Sequence, residues 1–392
     1  MLRLLTAILA LATPAWAYDP APVPAREGMV VSAHALASRA GIEMLEQGGN
    51  AVDAAVAVGY ALAVVYPAAG NLGGGGFMTL RLADGRATFL DFREKAPLAA
   101  TPDMFLDPAG EVVKGRSTDT WLAVGVPGSA AGLEAARARY GTLPRSAVLA
   151  PAIRLARQGF VLTPGDMAVL SQGTARFRRD AAAAAIFLRG GQALAPGDRL
   201  VQPDLARTLE QLAARGPDAF YRGPIGDAIV AASQKNGGIL QKADFERYAM
   251  RELPPLECSY RGYLIQAAPP PSSGGVVICE ILNILEGYDL RSMGFHSAAE
   301  VHVLVEAMRH AFLDRNTQLG DPYFVQNPTA RLLDKGYAAA IRDGIDPVRA
   351  TFSAALRPGT PPHEGTNTTH YSVIDKAGNA VAVTYSLNDW FG

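Results

Sequence analysis

The fold of this chain is decided near its carboxyl end, by the stretch Thr368-Thr369-His370-Tyr371-Ser372-Val373-Ile374. A turn at residues 375–379 separates it from a second stretch, Ala380 to Tyr385. Apolar and polar residues alternate in both, which is the period of a strand with one buried face. The pattern predicts a β-hairpin, and the polar run at residues 361–365 leads the chain to Thr368 at its start.

A threonine in this position suits one particular chemistry. Threonine is a poor nucleophile unless a base lies beside it, and an N-terminal threonine carries its own base, since its α-amine titrates near ~7.7–8.0. Attack of the Thr368 hydroxyl on the carbonyl of Asn367 would cut the chain and expose that amine. The alternative is an ordinary polar loop entering a strand, because threonine is common where strands begin.

The amino-terminal third predicts two helices and a glycine-rich turn. Residues 35–47 have helical spacing, and residues 51–64 are apolar nearly all round, so the second helix should be buried, with Asn50 as its cap. Asn71-Leu72-Gly73-Gly74-Gly75-Gly76-Phe77 follows. Its glycines permit positive φ and close backbone approach. The spacing does not match a phosphate-binding loop, so a tight turn against a substrate site is predicted.

The remaining pattern predicts an α/β fold with a largely helical middle. Residues 77–82 and 87–92 read as a hairpin. Helices are expected at residues 129–140, 145–158, 202–214, 276–285 and 298–313. Strands at both ends around a helical middle favour sheets sandwiched by helices, in one multilayer domain without internal repeats.

Composition excludes some classes of function. Of the 392 residues 49% are hydrophobic and 19% charged, which allows a large core. The net charge of −1 and the lack of a basic block argue against nucleic-acid binding. The two cysteines, Cys258 and Cys279, could form a disulfide or be two separate buried side chains, and the sequence does not decide between these.

Residues 1–17 have the pattern of a secretory signal peptide. Arg3 supplies the positive charge, Leu4 to Leu11 form the apolar core, and Ala15-Trp16-Ala17 is a small-x-small cleavage site. The alternative is an uncleaved anchor, but the apolar run is short for a bilayer span. We expect export to the periplasm or medium, with no membrane attachment after the signal is removed.

One helical pattern could hold a metal. His302, Glu306 and His310 lie on one face of a predicted helix, although polar residues on the solvated side of a helix look the same. Zinc-type cysteine and histidine spacing and a Gly-x-Ser-x-Gly elbow are absent from the sequence. We therefore expect neither a metal nor another cofactor.

Six segments of unusual sequence occur together between residue 27 and the end. They are Gly48-Gly49-Asn50-Ala51-Val52-Asp53-Ala54-Ala55, Asn71 to Phe77, Asp91-Phe92-Arg93-Glu94, Pro269 to Gly275, Gly320-Asp321-Pro322 and Thr368-Thr369-His370-Tyr371-Ser372-Val373. In this combination the chain resembles the γ-glutamyltransferases (γ-glutamyl transpeptidases), which are N-terminal-nucleophile hydrolases.

The resemblance implies a fold, a processing route and an activity. The fold would be an αββα sandwich, incomplete at the C-terminus of this chain. The exported precursor would split into a large subunit, residues 18–367, and a small subunit that begins at Thr368, and the two would stay associated. The enzyme would move γ-glutamyl groups from glutathione and related γ-glutamyl compounds to amino acids, peptides or water, through an acyl-enzyme.

The resemblance also assigns roles to single residues. Thr368 matches the nucleophile and Asn367 the last residue before the cut. Arg93 matches the arginine that grips the substrate α-carboxylate, a role that suits a guanidinium fork; the alternative is a surface ion pair with Glu94 or Asp91.

Two further roles fall at the end of the hairpin. Ser386 matches the hydroxyl residue that bonds the nucleophile, and Asn388 matches an asparagine that holds the amino-acid end of the substrate. Residues i and i+2 of a strand share a face, so these two side chains are expected to point the same way.

The small subunit of the family continues beyond the residue that matches Gly392, and the continuation carries the oxyanion-hole glycines. We therefore expect this chain to be part of a longer precursor and to be inactive alone. Two other functions stay open. One is an acylase for glutaryl or cephalosporin-type amides on the same fold. The other is a non-catalytic binding protein that uses the loops Asn71–Phe77 and Pro269–Gly275.

Overall fold

The structure is a computed structural model that describes residues 22–352 and 368–392. The predicted signal peptide and Asn367 lie outside the described residues. The strands are β1 Gly28–Val31, β2 Gly75–Arg81, β3 Ala87–Asp91, β4 Phe160–Val161, β5 Leu188–Arg189, β6 Gln192–Ala193, β7 Arg199–Leu200, β8 Arg251–Leu253, β9 Leu256–Tyr260, β10 Tyr263–Ala267, β11 Thr368–Asp375 and β12 Ala380–Ser386.

Helices connect these strands along the chain. They are α1 Ala35–Glu46, α2 Ala51–Val65, α3 Ser129–Tyr140, α4 Arg145–Gln158, α5 Pro164–Leu170, α6 Thr174–Phe177, α7 Ala181–Phe187, α8 Pro203–Arg215, α9 Asp218–Tyr221, α10 Pro224–Lys235, α11 Lys242–Arg247, α12 Gly274–Leu285, α13 Leu290–Met293, α14 Ala298–Gln318, α15 Thr329–Leu332 and α16 Lys335–Asp343. None of the helices described here combines the length and the apolar composition that a bilayer span requires.

A six-stranded antiparallel sheet forms the centre of the molecule. Its strand order is β1-β11-β12-β2-β3-β8. Both predicted hairpins are confirmed, and the sheet joins them edge to edge through β12 and β2. In the resulting register Thr368 faces Ser386 on β12, and Ser386 faces Gly75 on β2. The first residue of the described carboxyl-terminal segment is thereby placed beside the glycine run.

Helix α2 packs against one face of this sheet. All of its residues are buried, as its apolar composition predicts, because α1, α3, α4 and the strands β11 and β12 surround it. Tyr385 of β12 donates its hydroxyl to the Gly59 carbonyl of α2 at 2.8 Å. A Cβ atom at Gly59 would lie 2.7 Å from the hydroxyl oxygen of Tyr371 on β11. The glycine therefore lets two tyrosines of the sheet reach the helix backbone.

Polar bonds fix the start of α2. Asn50 accepts from the backbone N–H groups of Val52 and Asp53, which confirms it as the predicted cap. Asp53 closes a capping box and also accepts from the backbone N–H groups of Thr142 and Leu143 in the α3–α4 loop. The motif Gly48–Ala55 thus links the connection between α1 and α2 to the α3–α4 loop.

A second group of elements packs around α12. The β9–β10 hairpin lies on one side of this helix, and α14 and α16 lie on another. Cys258 of β9 and Cys279 of α12 form a disulfide, with their Cα atoms 6.0 Å apart. The structure thus decides the pairing that the sequence leaves open. Helix α14 runs to Gln318, five residues beyond its predicted end. The added residues lie where Asp314 accepts from the Tyr337 hydroxyl of α16 and Gln318 accepts from Arg331 of α15.

The α/β class is confirmed, with the long helices in the middle as predicted. Within the described ranges the sandwich has one large sheet, covered on one face by α1, α2 and α3, and α4 packs on α2. On its other face a cavity of about 380 Å³ is lined by Met29, Thr79, Ser372 and Ala382, together with Gln266 of β10.

Candidate functional site

Three glycines of the predicted tight turn bring the parts of the site together. A Cβ atom at Gly74 would lie 2.1 Å from the Ser386 carbonyl oxygen, and one at Gly75 would lie 2.5 Å from the Phe92 carbonyl oxygen. One at Gly76 would lie 2.4 Å from the Thr384 carbonyl oxygen. None of the three has a positive φ, so they are required here for close approach and not for a left-handed backbone.

Thr368 and Ser386 make the contact that the sequence analysis predicts. The Thr368 hydroxyl donates to Oγ of Ser386 at 3.3 Å, and the Ser386 hydroxyl donates to the Leu387 carbonyl at 2.6 Å. Ser386 is buried, whereas Thr368 is exposed. The chain of hydroxyls orients a lone pair of the Thr368 oxygen away from Ser386, as a nucleophile needs. The catalytic roles of both residues stay predictions.

Arg93 lies two residues after the end of β3, next to the glycine run. Its backbone N–H donates to Asp91 Oδ1 at 3.0 Å, and its carbonyl accepts from the Tyr248 hydroxyl at 3.0 Å. Its side chain is about half exposed (55%), with Nε 3.5 Å from Glu94 and the guanidinium 5.9 Å from the Phe77 ring centre. The backbone is therefore held more firmly than the guanidinium.

The structure shows one of the two ion pairs that the alternative interpretation of Arg93 proposes. The ion pair with Glu94 exists, whereas Asp91 pairs with Arg251, whose Nε donates to it at 2.9 Å. An exposed pair of this kind contributes about 0–1 kcal/mol, so it does not prevent the guanidinium from binding a carboxylate of a ligand.

A cleft of about 900 Å³ opens beside Arg93. Gly73, Gly74, Leu387 and Asn388 line it together with Arg93, and residues 94–105, 118–125 and 176–180 supply other parts of its wall. The size and the mixed lining suit a small-molecule ligand. Thr368 and Ser386 do not line the cleft themselves; they lie beside it, behind Gly74.

The prediction that Asn388 shares a strand face with Ser386 is wrong, although Asn388 does lie at the candidate site. Strand β12 ends at Ser386, and Asn388 lies in a bend beyond it, so the two residues do not share a strand face. Asn388 nevertheless lines the same cleft as Arg93. Its proposed contact with substrate stays a prediction.

The residues after Asn388 are fixed by contacts that the sequence analysis missed. Arg176 pairs with Asp389 and donates to the Trp390 carbonyl at 3.0 Å. The Phe391 ring meets Phe177 edge-on, with centroids 4.8 Å apart. The sequence signal that could have indicated these contacts is the aromatic pair Trp390 and Phe391, a few residues after the end of β12. These contacts hold the wall of the cleft to the helical middle.

The possible metal pattern on α14 has other partners. Glu306 accepts from Arg309 at 2.6 Å and from the Thr351 N–H at 3.1 Å, and His302 bonds the Asp346 carbonyl at 2.7 Å. In the part of the chain that the structure describes, no three His, Cys, Asp or Glu residues are placed to bind a metal ion.

The sequence analysis assigned no role to His370, which lies close to Thr368. It lies two residues after Thr368 on the same exposed face of β11. Its ring bonds the hydroxyls of Thr384 at 2.8 Å and Ser372 at 3.1 Å. Burial lowers the pKa of His370, so the ring is neutral near pH 7 and supports the hydroxyls without adding charge beside Thr368.

Comparison with known proteins gives a consistent result. The sequence model of the family described as Gamma-glutamyltranspeptidase matches residues 37–392. The chain is 61% identical, over 96% of its length, to the glutathione hydrolase proenzyme of Pseudomonas sp. (strain A14), and 45% identical, over 95%, to the acylase ACY 1 proenzyme of Pseudomonas sp. (strain V22). It covers 66% and 67% of them, respectively.

A solved structure agrees with these matches. The crystal structure of Helicobacter pylori gamma-glutamyltranspeptidase superposes with a TM-score of 0.84 at 44% identity, covering 88% of this chain and 100% of that one. The chain thus spans about two thirds of the length of the curated relatives that it matches.

Proposed function

The chain belongs to the gamma-glutamyltranspeptidase family, and from this premise we propose that it serves γ-glutamyl transfer with Thr368 as nucleophile. The donors would be glutathione and related γ-glutamyl amides, and the acceptors amino acids, peptides or water. The hydrogen bond from Thr368 to Ser386 carries the proposal, because it joins the two hydroxyls that the chemistry needs.

The chain must first be cut between Asn367 and Thr368. The Thr368 hydroxyl adds to the carbonyl of Asn367, the peptide bond shifts to an ester on that oxygen, and water hydrolyses the ester. The product is a free α-amine on Thr368, which is the base for the later step. Ser386 assists by accepting the hydrogen bond of the hydroxyl and fixing its direction.

In turnover the Thr368 oxygen attacks the γ-amide carbonyl of the donor, and its proton passes to the α-amine. The amide bond breaks, the leaving amine takes that proton, and a γ-glutamyl ester remains on Thr368. Water or an amino acid then attacks the ester and restores the hydroxyl. Arg93 would hold the α-carboxylate of the γ-glutamyl group through two parallel N–H donors, and Asn388 would contact the same end of the substrate.

We also propose export and division into two associated subunits, residues 18–367 and the part that begins at Thr368. The disulfide between Cys258 and Cys279 supports export, because disulfides persist mainly in oxidising compartments. The proposal places the protein in the periplasm or the medium.

The test compares Thr368→Ala and Thr368→Ser in the full-length gene product. Intact mass should show a cut before Thr368 in the unchanged protein and in Thr368→Ser, which keeps a hydroxyl, but not in Thr368→Ala. Only the cut proteins should turn over a γ-glutamyl anilide. Cutting or turnover by Thr368→Ala would refute the proposal, and an uncut unchanged protein that still binds L-glutamate would favour a binding function.

The 45% identity to an acylase makes an acylase the second candidate. A glutaryl group lacks the α-carboxylate, so Arg93 would then matter little. Replacing Arg93 by Met should lower kcat/KM for a γ-glutamyl anilide about 100-fold, the effect of losing a charge-assisted bidentate bond. The matched control is Arg222→Met, since Arg222 is an exposed arginine paired with Asp218 on α9. Unchanged turnover in Arg93→Met would favour the acylase.

A further inference from the structure

We infer that Asp91 and Tyr248 are positioning residues for the substrate α-carboxylate, because they hold the backbone of Arg93 from both sides and so direct its guanidinium into the cleft. The inference rests on the proposed function. Among the described residues, the guanidinium of Arg93 itself has only loose contacts, to Glu94 and to the face of the Phe77 ring. Its position must therefore come from the backbone that carries it.

Asp91 holds the amino side of Arg93. Its carboxylate is buried, with 5% of the residue exposed, and Oδ1 accepts the Arg93 N–H at 3.0 Å. The other oxygen accepts from Arg251 Nε at 2.9 Å, and the Arg251 guanidinium lies over the Tyr323 ring at 4.5 Å. Both ends of the carboxylate are thus occupied, so Asp91 cannot rotate away from Arg93 without leaving a buried charge unpaired.

Tyr248 holds the carbonyl side. Its hydroxyl donates to the Arg93 carbonyl at 3.0 Å. The ring stacks on Tyr221 with centroids 5.4 Å apart and planes 13° apart, which fixes the direction of the hydroxyl. Burial raises the pKa of Tyr248, so the hydroxyl keeps its proton and stays a donor across the physiological range.

Two glycines leave room for this arrangement. A Cβ atom at Gly128 would lie 1.9 Å from the Phe92 carbonyl oxygen and 2.1 Å from the Tyr248 hydroxyl oxygen. A Cβ atom at Gly75 would lie 2.7 Å from the Glu94 N–H nitrogen. Backbone therefore packs closely against residues 92–94 on two sides, while Asp91 and Tyr248 supply the polar anchors.

The consequence is a specific loss of carboxylate recognition when an anchor is removed. A displacement of the Arg93 backbone by about 1 Å would misalign its two donors with a bound carboxylate, and such errors weaken recognition strongly. Parts of the ligand that Arg93 does not touch should be bound as before.

The experiment measures binding to the full-length gene product by calorimetry, so it does not depend on turnover. The probes are L-glutamate and 4-aminobutyrate, which differ only in the α-carboxylate. The variants are Tyr248→Phe and Asp91→Asn. The control is Tyr221→Phe, which removes a hydroxyl that donates to the Pro127 carbonyl at 2.9 Å and does not touch Arg93.

We expect Tyr248→Phe to bind L-glutamate about 5-fold more weakly and Asp91→Asn about 10-fold more weakly, with 4-aminobutyrate changed less than 2-fold in both. In Arg93→Met, adding Tyr248→Phe should cause no further loss. The inference is overturned if L-glutamate and 4-aminobutyrate weaken equally, if neither changes, or if the unchanged protein binds both alike. Failure of γ-glutamyl turnover with these binding differences intact would count against the proposed function alone.

Discussion

At the residue scale, glycine determines whether the candidate site can assemble. Gly74 lies against the carbonyl of Ser386, and Gly75 lies against the backbone that leads to Arg93. A side chain at either position would separate the strand ends that carry the Thr368–Ser386 pair and Arg93. The sequence shows that glycines occupy these positions, but only the strand order shows which backbone atoms they approach.

Replacing Gly74 by Ala should disrupt this approach. The new methyl would lie 2.1 Å from the Ser386 carbonyl oxygen and 2.8 Å from Asn71 Oδ1, which is fixed because it accepts from Gly74 N–H and the Ser129 hydroxyl. We expect a loss of about 1–3 kcal/mol in stability and slower cutting before Thr368. Thermal unfolding and a time course of intact mass measure both effects.

Gly73→Ala is the matched control for this change. A Cβ atom at Gly73 has no neighbour within 4 Å, so its Tm and its cutting rate should stay close to those of the unchanged protein. Equal behaviour of the two alanine variants would show that close packing at Gly74 is not required.

The family resemblance assigned the roles of Ser386, Arg93 and Asn388, whereas residue chemistry alone suggested only the nucleophile. Thr368 and Ser386 are in hydrogen-bond contact, and Arg93 and Asn388 line one cleft. Tyr248 escaped notice because it acts on the backbone of Arg93 from a distant part of the chain, and no local pattern marks such a contact. Asn388 was assigned by resemblance, and the strand argument for it was wrong because β12 ends at Ser386.

At the element scale, local chemistry predicted helix α2 almost completely. Residues 51–64 were expected and Ala51–Val65 were found, because Asn50 caps the start and the run is apolar throughout. The two-stranded pieces β4–β7 and β5–β6 were missed, since strands of two residues leave no periodic pattern.

Asp53 is the polar residue on which the start of α2 depends. It is fully buried and accepts from the N–H groups of Asn50, Thr142 and Leu143. Asp53→Asn keeps the size but turns an amide N–H₂ toward these donors, so we expect a loss of about 2–4 kcal/mol and a clear fall in Tm. A protein with unchanged Tm would contradict the assigned role.

A matched control exists in the β2–β3 turn. Asp84 also accepts from a backbone N–H, that of Arg86, but is exposed to solvent. Its replacement by Asn should lower Tm much less than Asp53→Asn does. Comparable losses in the two variants would mean that burial and the link to the α3–α4 loop are not what makes Asp53 important.

At the scale of the whole molecule, the strand order was beyond the sequence pattern. Each of the two hairpins joins strands that are neighbours in the sequence, and the turn residues between the strands indicate it. The edge between β12 and β2 joins residues 75–81 to residues 380–386, and β1 pairs with β11. Such contacts depend on tertiary packing around α2. The disulfide was left open for the same reason, since nothing local brings Cys258 near Cys279.

The packing of α12 against α14 and α16 buries an acid that should govern how stability depends on pH. Glu280 is fully buried, and as a carboxylate it would have no donor for either oxygen among the described residues. Burial, together with the hydrogen bond and charge of Asp314, raises its pKa to about 9, while Arg331 opposes the shift. Asp314 is itself held by the Tyr337 hydroxyl at 2.6 Å. Glu280 therefore keeps its proton at neutral pH.

The sign of the effect follows from the raised pKa. The folded state holds a proton that the unfolded state, with an ordinary pKa near ~4.3, releases, so the contribution of Glu280 to stability is greatest below about pH 4 and falls as pH rises towards 9. Glu280→Gln mimics the protonated acid and removes this loss. The Tm and the free energy of unfolding of this variant should exceed those of the unchanged protein. The difference in free energy should grow from pH 5 to pH 8, up to about 4 kcal/mol. The control is Glu286→Gln, because Glu286 is only partly buried and its hydrogen bond from Lys335 lowers its pKa, so no slope should arise in this range. A margin that is equal at pH 5 and pH 8 would show that Glu280 is ionised in the folded protein.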